Sequence, residues 1–281
     1  MRNIKDFIKN FYKIILSGSL FFIIIILIHV YSLLESNSTL RIKYLDIGQG
    51  DATLIISPRG QKTLIDTGPN FIINQKIEDS LSVISPKLDN LLLTHPDLDH
   101  VGGTEALISE DFLKKLVIST ENTYLKYGLD SIKVNNTKNL DIGGVYLEII
   151  SPKINQFGDT NHNSIVSQIK YGNIKFIFMA DADTEIERNL VSQGYFKKDD
   201  YITVLKIGHH GSDTSSSEFF LKTIKPEYCI VSVGKNNKYD HPKPIVIERL
   251  SKYCGETYRT DQDGGVEFVT DGKKISIFKD K

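Results

Sequence analysis

The sequence predicts an α/β fold, two sheets packed face to face with helices outside, in one domain of about 240 residues behind a single N-terminal transmembrane helix. Three observations predict it. Strand-length apolar segments outnumber helical ones and alternate with them from residue 40 onward. Turn signals such as Gly48–Asp51 and Pro58–Gly60 separate the strands. One 21-residue stretch near the N-terminus carries no charge.

That stretch, Ile14–Leu34, reads IILSGSLFFIIIILIHVYSLL. A helix of about 20 residues covers the roughly 30 Å hydrocarbon layer. Residues 1–13 form a basic N-terminus with Arg2, Lys5, Lys9 and Lys13, and Glu35 follows the span. By the positive-inside rule the N-terminus stays in the cytoplasm and the rest emerges outside, a single-pass protein of the cell membrane with its main domain extracytoplasmic. The competing reading is a cleaved signal peptide. Its apolar region is usually about 7–15 residues, and no A-x-A-like site follows this one, which favours a retained anchor. Residues 35–39 (ESNST) are a polar linker, and residues 40–281 form the domain.

Within that domain, Leu40–Ile47, Thr53–Ser57 and Lys62–Asp66 read as strands, Lys76–Ile84 as a helix ending at Pro86, and Leu91–Thr94 as a short buried strand. A helix opens at Val101–Leu107. Strands are expected near Val117 and over Val145–Ile150, Ile165–Tyr171 and Ile174–Met179. The helix Thr184–Gln193 precedes strands Ile202–Ile207 and Tyr228–Val233. A helix at Pro244–Tyr253 and strands at Thr257–Arg259, Val266–Val269 and Ile275–Phe278 close the chain. Asp130–Asn139 is the one polar stretch that reads as a long loop.

Charged residues at 25% and hydrophobic ones at 40% are ordinary for a globular protein and exclude a disordered chain. Net charge is −1, and setting residues 1–35 aside leaves 30 basic against 33 acidic groups. There is no whole-protein pull toward nucleic acid, so a basic face would have to be local. Two cysteines are too few for a disulfide scaffold. Cys229 lies in the apolar run Tyr228–Val233 and reads as a buried small side chain in preference to a disulfide with Cys254.

The chemistry concentrates in LLLTHPDLDHVGG, residues 91–103. His95, Asp97, Asp99 and His100 lie within six residues on a tight loop between a strand and a helix. Four imidazole or carboxylate groups so close repel one another or stay unpaired unless a cation collects them. His95 and Asp97 can face one metal, Asp99 and His100 a second. The alternative is a polar turn with helix-capping aspartates, but a helix start needs one cap, not four ligand-type side chains.

This H-x-[HD]-x-D-H spacing is the signature of the metallo-β-lactamase superfamily. Further segments resemble, in order, the hydrolase domain of ComEC-type competence proteins: LDIGQGDATLI (45–55), TLIDTG (63–68), NHNSIVSQIKYG (161–172), FMADAD (178–183), LKIGHHGSDTSSSEFF (205–220), VGKNNKYDHP (233–242) and YRTDQDGG (258–265). Of the seven histidines, His29 lies in the span, and the other six all fall in the 91–103 loop or in these segments. A domain using histidine for packing would scatter some elsewhere.

The resemblance implies an αββα sandwich and two divalent metal ions, Zn2+ or Mn2+. It makes Asp66 a carboxylate that orients metal-ligand histidines and Asp181 the bridge between two metals, with Ala180 where the family usually has glycine. One of His209 and His210 completes a metal and the other contacts substrate. His241 stands at the family's G-H-P position. His162 occupies the region of the third histidine, either as a ligand or as a loop residue, and Asn163 and Ser164 bind substrate or hold the loop. Asp46, Gln49 and Asp51 lie near the metals as supporting or substrate contacts; Gly48-Gln49-Gly50 lacks the third glycine of a nucleotide-cradling loop. Asp183 reads as a helix N-terminal acid.

Ser212 and Ser215–Ser217 read as helix caps and phosphate hydrogen-bond donors, since no GxSxG elbow marks a serine nucleophile. Lys206 is either a phosphate contact or a strand-edge lysine. The implied reaction is attack on phosphorus by water activated between the metals with help from Asp99, charge stabilisation by Lys206 or His210, and protonation of the leaving oxygen by His241 or the free member of the histidine pair. The implied substrate is single- or double-stranded DNA at the outer surface, with DNA-uptake machinery as partner. A phosphodiester of the cell wall or of a small molecule, such as phosphorylcholine, is the alternative substrate. A non-catalytic partner-binding module is the alternative of another class.

Overall fold

The computed structural model describes residues 9, 12–13, 15–27, 39–81, 87–119, 130–133, 137–150 and 164–281. The chain divides into two units, Met1–Thr39 and Leu40–Lys281. In the first, residues 15–27 are helical and expose their apolar side chains. Among the described residues no helix is long and apolar enough to cross a membrane; residues 28–34 of the expected span lie outside the described residues.

The second unit holds two sheets. The first is built from β1 Leu40–Tyr44, β2 Thr53–Ile56, β3 Lys62–Ile65, β4 Leu88–Leu92, β5 Leu113–Ser119, β6 Asp130–Lys133, β14 Val266–Thr270 and β15 Ile275–Lys279, in the order β15-β14-β1-β2-β3-β4-β5-β6. The second is built from β7 Lys138–Asp141, β8 Tyr146–Ile150, β9 Val166–Tyr171, β10 Ile174–Phe178, β11 Ile202–Lys206, β12 Tyr228–Val231 and β13 Glu256–Arg259, in the order β13-β12-β11-β10-β9-β8-β7. Strands β3 to β6 pair in parallel, as do β10 to β13.

Alternation along the strands makes the layers. Ile174, Phe176 and Phe178 of β10 join Leu40, Ile42 and Tyr44 of β1 in the core between the sheets. Ile177, Leu205 and Val231 point the other way, onto Ile186, Leu190, Phe220, Leu221, Val246 and Leu250 of three helices. Those helices are Thr184–Ser192, Glu218–Ile224 and Pro244–Tyr253. On the outside of the first sheet, Leu54, Leu64 and Leu91 pack on Ile73 and Ile77 of helix Ile72–Ser80 and Leu107 of helix Thr104–Ser109. Helix, sheet, sheet, helix is the order the sequence implies.

Three readings need correction. Asp130–Asn139 is not a long loop: it contributes β6 and β7. Each lies at the edge of its sheet, where a strand needs one partner and tolerates polar residues. The helix expected at Lys76–Ile84 begins four residues earlier, at Ile72, whose N–H donates to Asn70 Oδ1 (2.9 Å). Cys229 and Cys254 are bonded to each other, joining β12 to the end of helix Pro244–Tyr253. Cys229 is buried as expected, because that helix packs directly over it.

Candidate metal centre

The centre forms where strands of both sheets end. Asp66 follows β3, His95–His100 follows β4, Asp181 follows β10, His209 and His210 follow β11, and the loop carrying His241 follows β12. The carboxyl ends of parallel strands are where open α/β sheets present side chains to ligands. Two close approaches bring the loops together. A Cβ on Gly50 would meet Asp99 O at 2.3 Å, and one on Gly102 would meet Pro69 O at 2.2 Å. Only glycine lets the segments after β1 and β3 lie against the loop after β4.

Asp181 is at the middle and almost fully buried. Its Oδ2 lies 3.8 Å from His95 Nε2 and 3.7 Å from His209 Nε2. Its Oδ1 lies 3.2 Å from His100 Nε2 and 3.6 Å from His210 Nε2. Asp97 Oδ2 joins the first group, 3.8 Å from His95 Nε2. Asp99 Oδ2 joins the second, 3.3 Å from His210 Nε2. One carboxylate therefore faces two histidine–aspartate sets, one with each oxygen.

The imidazoles are held from behind. His100 Nδ1 donates to Asp66 Oδ2 (2.7 Å), and His210 Nδ1 donates to Ser232 O (2.9 Å). Thr94 Oγ1 donates to Asp66 Oδ2 (2.8 Å), which leaves its oxygen to accept from His95 Nδ1 (3.0 Å). His209 Nδ1 meets Thr214 Oγ1 at 3.2 Å. With Nδ1 as the N–H, each of His95, His100 and His210 turns an Nε2 lone pair inward. Those three Nε2 atoms and Asp181 Oδ1 are buried without a hydrogen-bond partner. Buried polar atoms seldom go unsatisfied, and these fall into overlapping clusters, His95–His100–Asp181 and Asp99–His100–His210, whose ligand atoms lie close enough together to hold a cation. Asp97 sits at the start of helix Leu98–Val101 but makes no side-chain capping hydrogen bond, against the capping alternative.

Charge agrees. Burial opposes the charged forms, yet His100, His210 and His95 hold the Asp181 carboxyl well below its usual range. Burial likewise opposes the His100 cation, but Asp181 and Asp66 outweigh it and hold His100 well above its ordinary value. For His210 the same balance, with Asp181 and Asp51 prevailing, reaches about 10. A field that keeps protons on buried imidazoles also draws a divalent cation, which competes for the same nitrogens. Imidazole plus carboxylate suits zinc, and the three aspartates Asp97, Asp99 and Asp181 suit manganese as well.

Other expected residues fall elsewhere. Lys206 is not an open phosphate contact: it is buried, its Nζ lies 2.5 Å from Asp51 Oδ2, and it donates to Ile207 O (3.0 Å). Asp51 in turn lies 3.4 Å from His210 Nδ1. Asp46 is not among the residues lining the cavity, and its Oδ2 meets Lys281 Nζ at 3.1 Å. Ser212 is buried and its Oγ contacts Thr214 Oγ1 (3.0 Å), so it supports the turn that aims His209 and is not open to substrate. Ser217 caps helix Glu218–Ile224 and Asp183 caps helix Thr184–Ser192. Ser164 is buried; His162 and Asn163 lie outside the described residues. Gln49 lines the cavity, accepting from Gly234 N (3.2 Å) while its Nε2 is buried without a partner.

The cavity has a volume of about 210 Å³ and is lined by Asp97, Asp99, Asp181, His209, His210, Gln49, Tyr239 and His241. Burial, together with His209, His210 and Lys243, pushes His241 down to about 4, so it is neutral at pH 7. Sequence reasoning missed Thr94, Thr214 and Tyr239. Thr94 stands directly before the motif, and a hydroxyl beside a ligand histidine is the signal that identifies it.

Comparison with known proteins agrees with this geometry. A relative in Bacillus subtilis (strain 168), ComE operon protein 3, is 28% identical over 92% of this chain and 36% of its own length. Competence protein ComA of Neisseria gonorrhoeae is 31% identical over 79% of this chain and 31% of its own. The chain thus spans about a third of the curated relatives it matches. Among solved structures, a metal-dependent hydrolase of the beta-lactamase superfamily superposes with a TM-score of 0.53 at 14% identity, covering 78% of this chain and 95% of that one. CmlA, a diiron beta-hydroxylase from Streptomyces venezuelae, gives 0.55 at 15% identity over 78% of this chain and 52% of that one. The two share the fold and differ in chemistry. The sequence profile of the metallo-beta-lactamase superfamily matches residues 45–235, and with the carboxylate of Asp181 set between two histidine pairs, the chain belongs to that superfamily and has competence-protein relatives.

Proposed function

We propose that this protein is a membrane-anchored, extracytoplasmic phosphodiesterase acting on DNA, with two divalent metals held at the ends of the strands. The observation that carries the reading is the split of Asp181, Oδ2 toward His95 and His209, Oδ1 toward His100 and His210. His95, Asp97 and His209 would hold one ion, Asp99, His100 and His210 the other, with Asp181 between them. His209 then supplies the nitrogen that a lactamase-like enzyme takes from a third histidine. When bound, such ions acidify water and gather phosphoryl charge.

The chain's own residues do the rest. Asp66, Thr94 and Ser232 fix the ring orientations, so little reorganisation accompanies reaction. Gln49 Nε2 is a donor for a phosphoryl oxygen, and neutral His241 orients the ester at the cavity wall. Three carboxylates make an oxygen-rich set that favours phosphodiesters over lactams. The competence-protein relatives support DNA as substrate and a DNA-uptake machinery as partner. The exposed apolar helix at 15–27 supports the anchor, and the Cys229–Cys254 bond supports an oxidising, extracytoplasmic setting.

A second reading, a cell-wall or small phosphodiester, is favoured by the size of the cavity, which holds one ester group and little more. The full chain in detergent, supplied with Mn2+ or Zn2+, separates them. Cleavage of both bis-p-nitrophenyl phosphate and DNA is expected, lost in Asp181→Asn. Cleavage of the small ester alone would favour the second reading, and cleavage of neither would overturn both.

A further inference from the structure

His241 stands between two depressions. One is the metal-centre cavity, which Tyr239 also lines. The other is an open trough of about 740 Å³ lined by Lys235, Asn236, Arg259 and Gln262 among others. Arg259 is held by Asp261 through hydrogen bonds of 3.0 and 2.8 Å, while Lys235 is exposed. The divide is aromatic: the Tyr239 and His241 rings stack with centroids 5.7 Å apart and 25° between planes.

Tyr239 keeps 45% of its surface open while also lining the metal-centre cavity. Its loop is nonetheless fixed. Asn237 alone donates to Gly234 O and His241 O (3.0 and 2.7 Å) and accepts from Tyr239 N and His241 N (3.1 and 3.0 Å). A rigid, open ring is a preorganised stacking surface. Lys238 Nζ rests 4.8 Å from the Tyr239 centroid on an exposed, flexible side chain. An exposed cation–π contact is weaker than base–aromatic stacking, so an arriving base displaces the ammonium, which is then free to meet a phosphate.

We propose that Tyr239, backed by His241, is a stacking subsite for the base of a nucleotide adjoining the scissile phosphate, with Lys238 and Lys235 on the phosphate along the trough, so that the substrate is a single-stranded polynucleotide. This rests on the phosphodiesterase reading above. In a duplex the base faces are covered by their neighbours, and a wall polymer without aromatic rings has no face to offer. The subsite therefore selects the unpaired strand.

The test is a cycle between protein and substrate on the full, Mn2+-loaded chain. An abasic residue is walked through an eight-nucleotide single strand, and kcat/KM is measured with wild type, Tyr239→Phe and Tyr239→Leu. Binding of the same strands is followed by fluorescence anisotropy in chelator. At one position the abasic residue is expected to weaken wild type by about 5- to 150-fold, to weaken Tyr239→Phe equally, and to cost Tyr239→Leu almost nothing more. Losses that simply add at every position, or a blunt duplex bound as tightly as the strand, would overturn the subsite and leave the phosphodiesterase reading standing. Hydrolysis of bis-p-nitrophenyl phosphate without binding of any strand would overturn the subsite and DNA as substrate together.

Discussion

Asp66 Oδ2 accepts a 2.7 Å hydrogen bond from His100 Nδ1, while Asp66 Oδ1 accepts one of 2.9 Å from Thr94 N. Asp66 itself has φ 57°, a left-handed backbone that an aspartate adopts only when its surroundings fix it. It thus aims His100 and, through Thr94, His95. Asp66→Ala is expected to keep the fold and weaken metal binding by about 10- to 100-fold, read by isothermal titration calorimetry with circular dichroism as the folding control. Unchanged affinity would leave Asp66 without its orienting role.

Lys206 and Asp51 are a buried pair, and removing the lysine takes away the nearest countercharge of Asp51, leaving it His210 at 3.4 Å. Lys206→Met is expected to cost about 3–5 kcal/mol of stability, with much of it recovered in Lys206→Met/Asp51→Asn. Urea denaturation reads both. A lysine serving as a phosphate contact would instead raise KM and leave stability alone.

Glu187 is buried beneath the loop that carries His209 and His210, accepting from Ser216 N (2.5 Å) and Ser217 N (2.9 Å). Burial pushes its carboxyl up to about 7, against the pull of the Ser217 and Ser216 donors. The folded state therefore binds a proton that the unfolded chain, titrating near 4.5, has released. Glu187's contribution to stability is fullest below about pH 4.5, falls between about 4.5 and 7 by roughly 3 kcal/mol, and is flat above. Glu187→Gln should lose that component of the slope, seen as the difference between wild-type and variant urea midpoints at pH 5 and pH 7.5.

Ala180 precedes Asp181 at φ 48°, where a Cβ crowds the backbone. Ala180→Gly is expected to raise stability by about 1 kcal/mol in urea unfolding, with Asp181 still in place. A loss of stability would show that the turn is not strained.

Much of the centre was legible because its residues are neighbours in the chain. His95, Asp97, Asp99 and His100 needed only a strand end and two glycines to converge, and all of that is written in thirteen residues. The packing of sheets face to face with helices outside was equally readable from strand-length apolar segments such as Ile174–Met179 alternating with helical ones such as Thr184–Gln193. Less legible were features set by contacts across the fold. His209 and His210 both occupy left-handed backbone (φ 49° and 53°), which turns two adjacent side chains onto the two oxygens of Asp181 where ordinary backbone would part them. The burial of Lys206 was not legible because its partner Asp51 lies 155 residues earlier, in the loop between β1 and β2 of the other sheet. The Cys229–Cys254 bond depends on a helix folding back over β12, which composition does not reveal.

The central claim is that Asp181 joins two metal ions, and electron paramagnetic resonance of the Mn2+-loaded protein tests it most directly. Two Mn2+ per chain with an exchange-coupled spectrum is the predicted result, replaced in Asp181→Asn by the six-line signal of isolated ions. A wild-type protein that binds one Mn2+ and shows only that six-line signal would contradict the account.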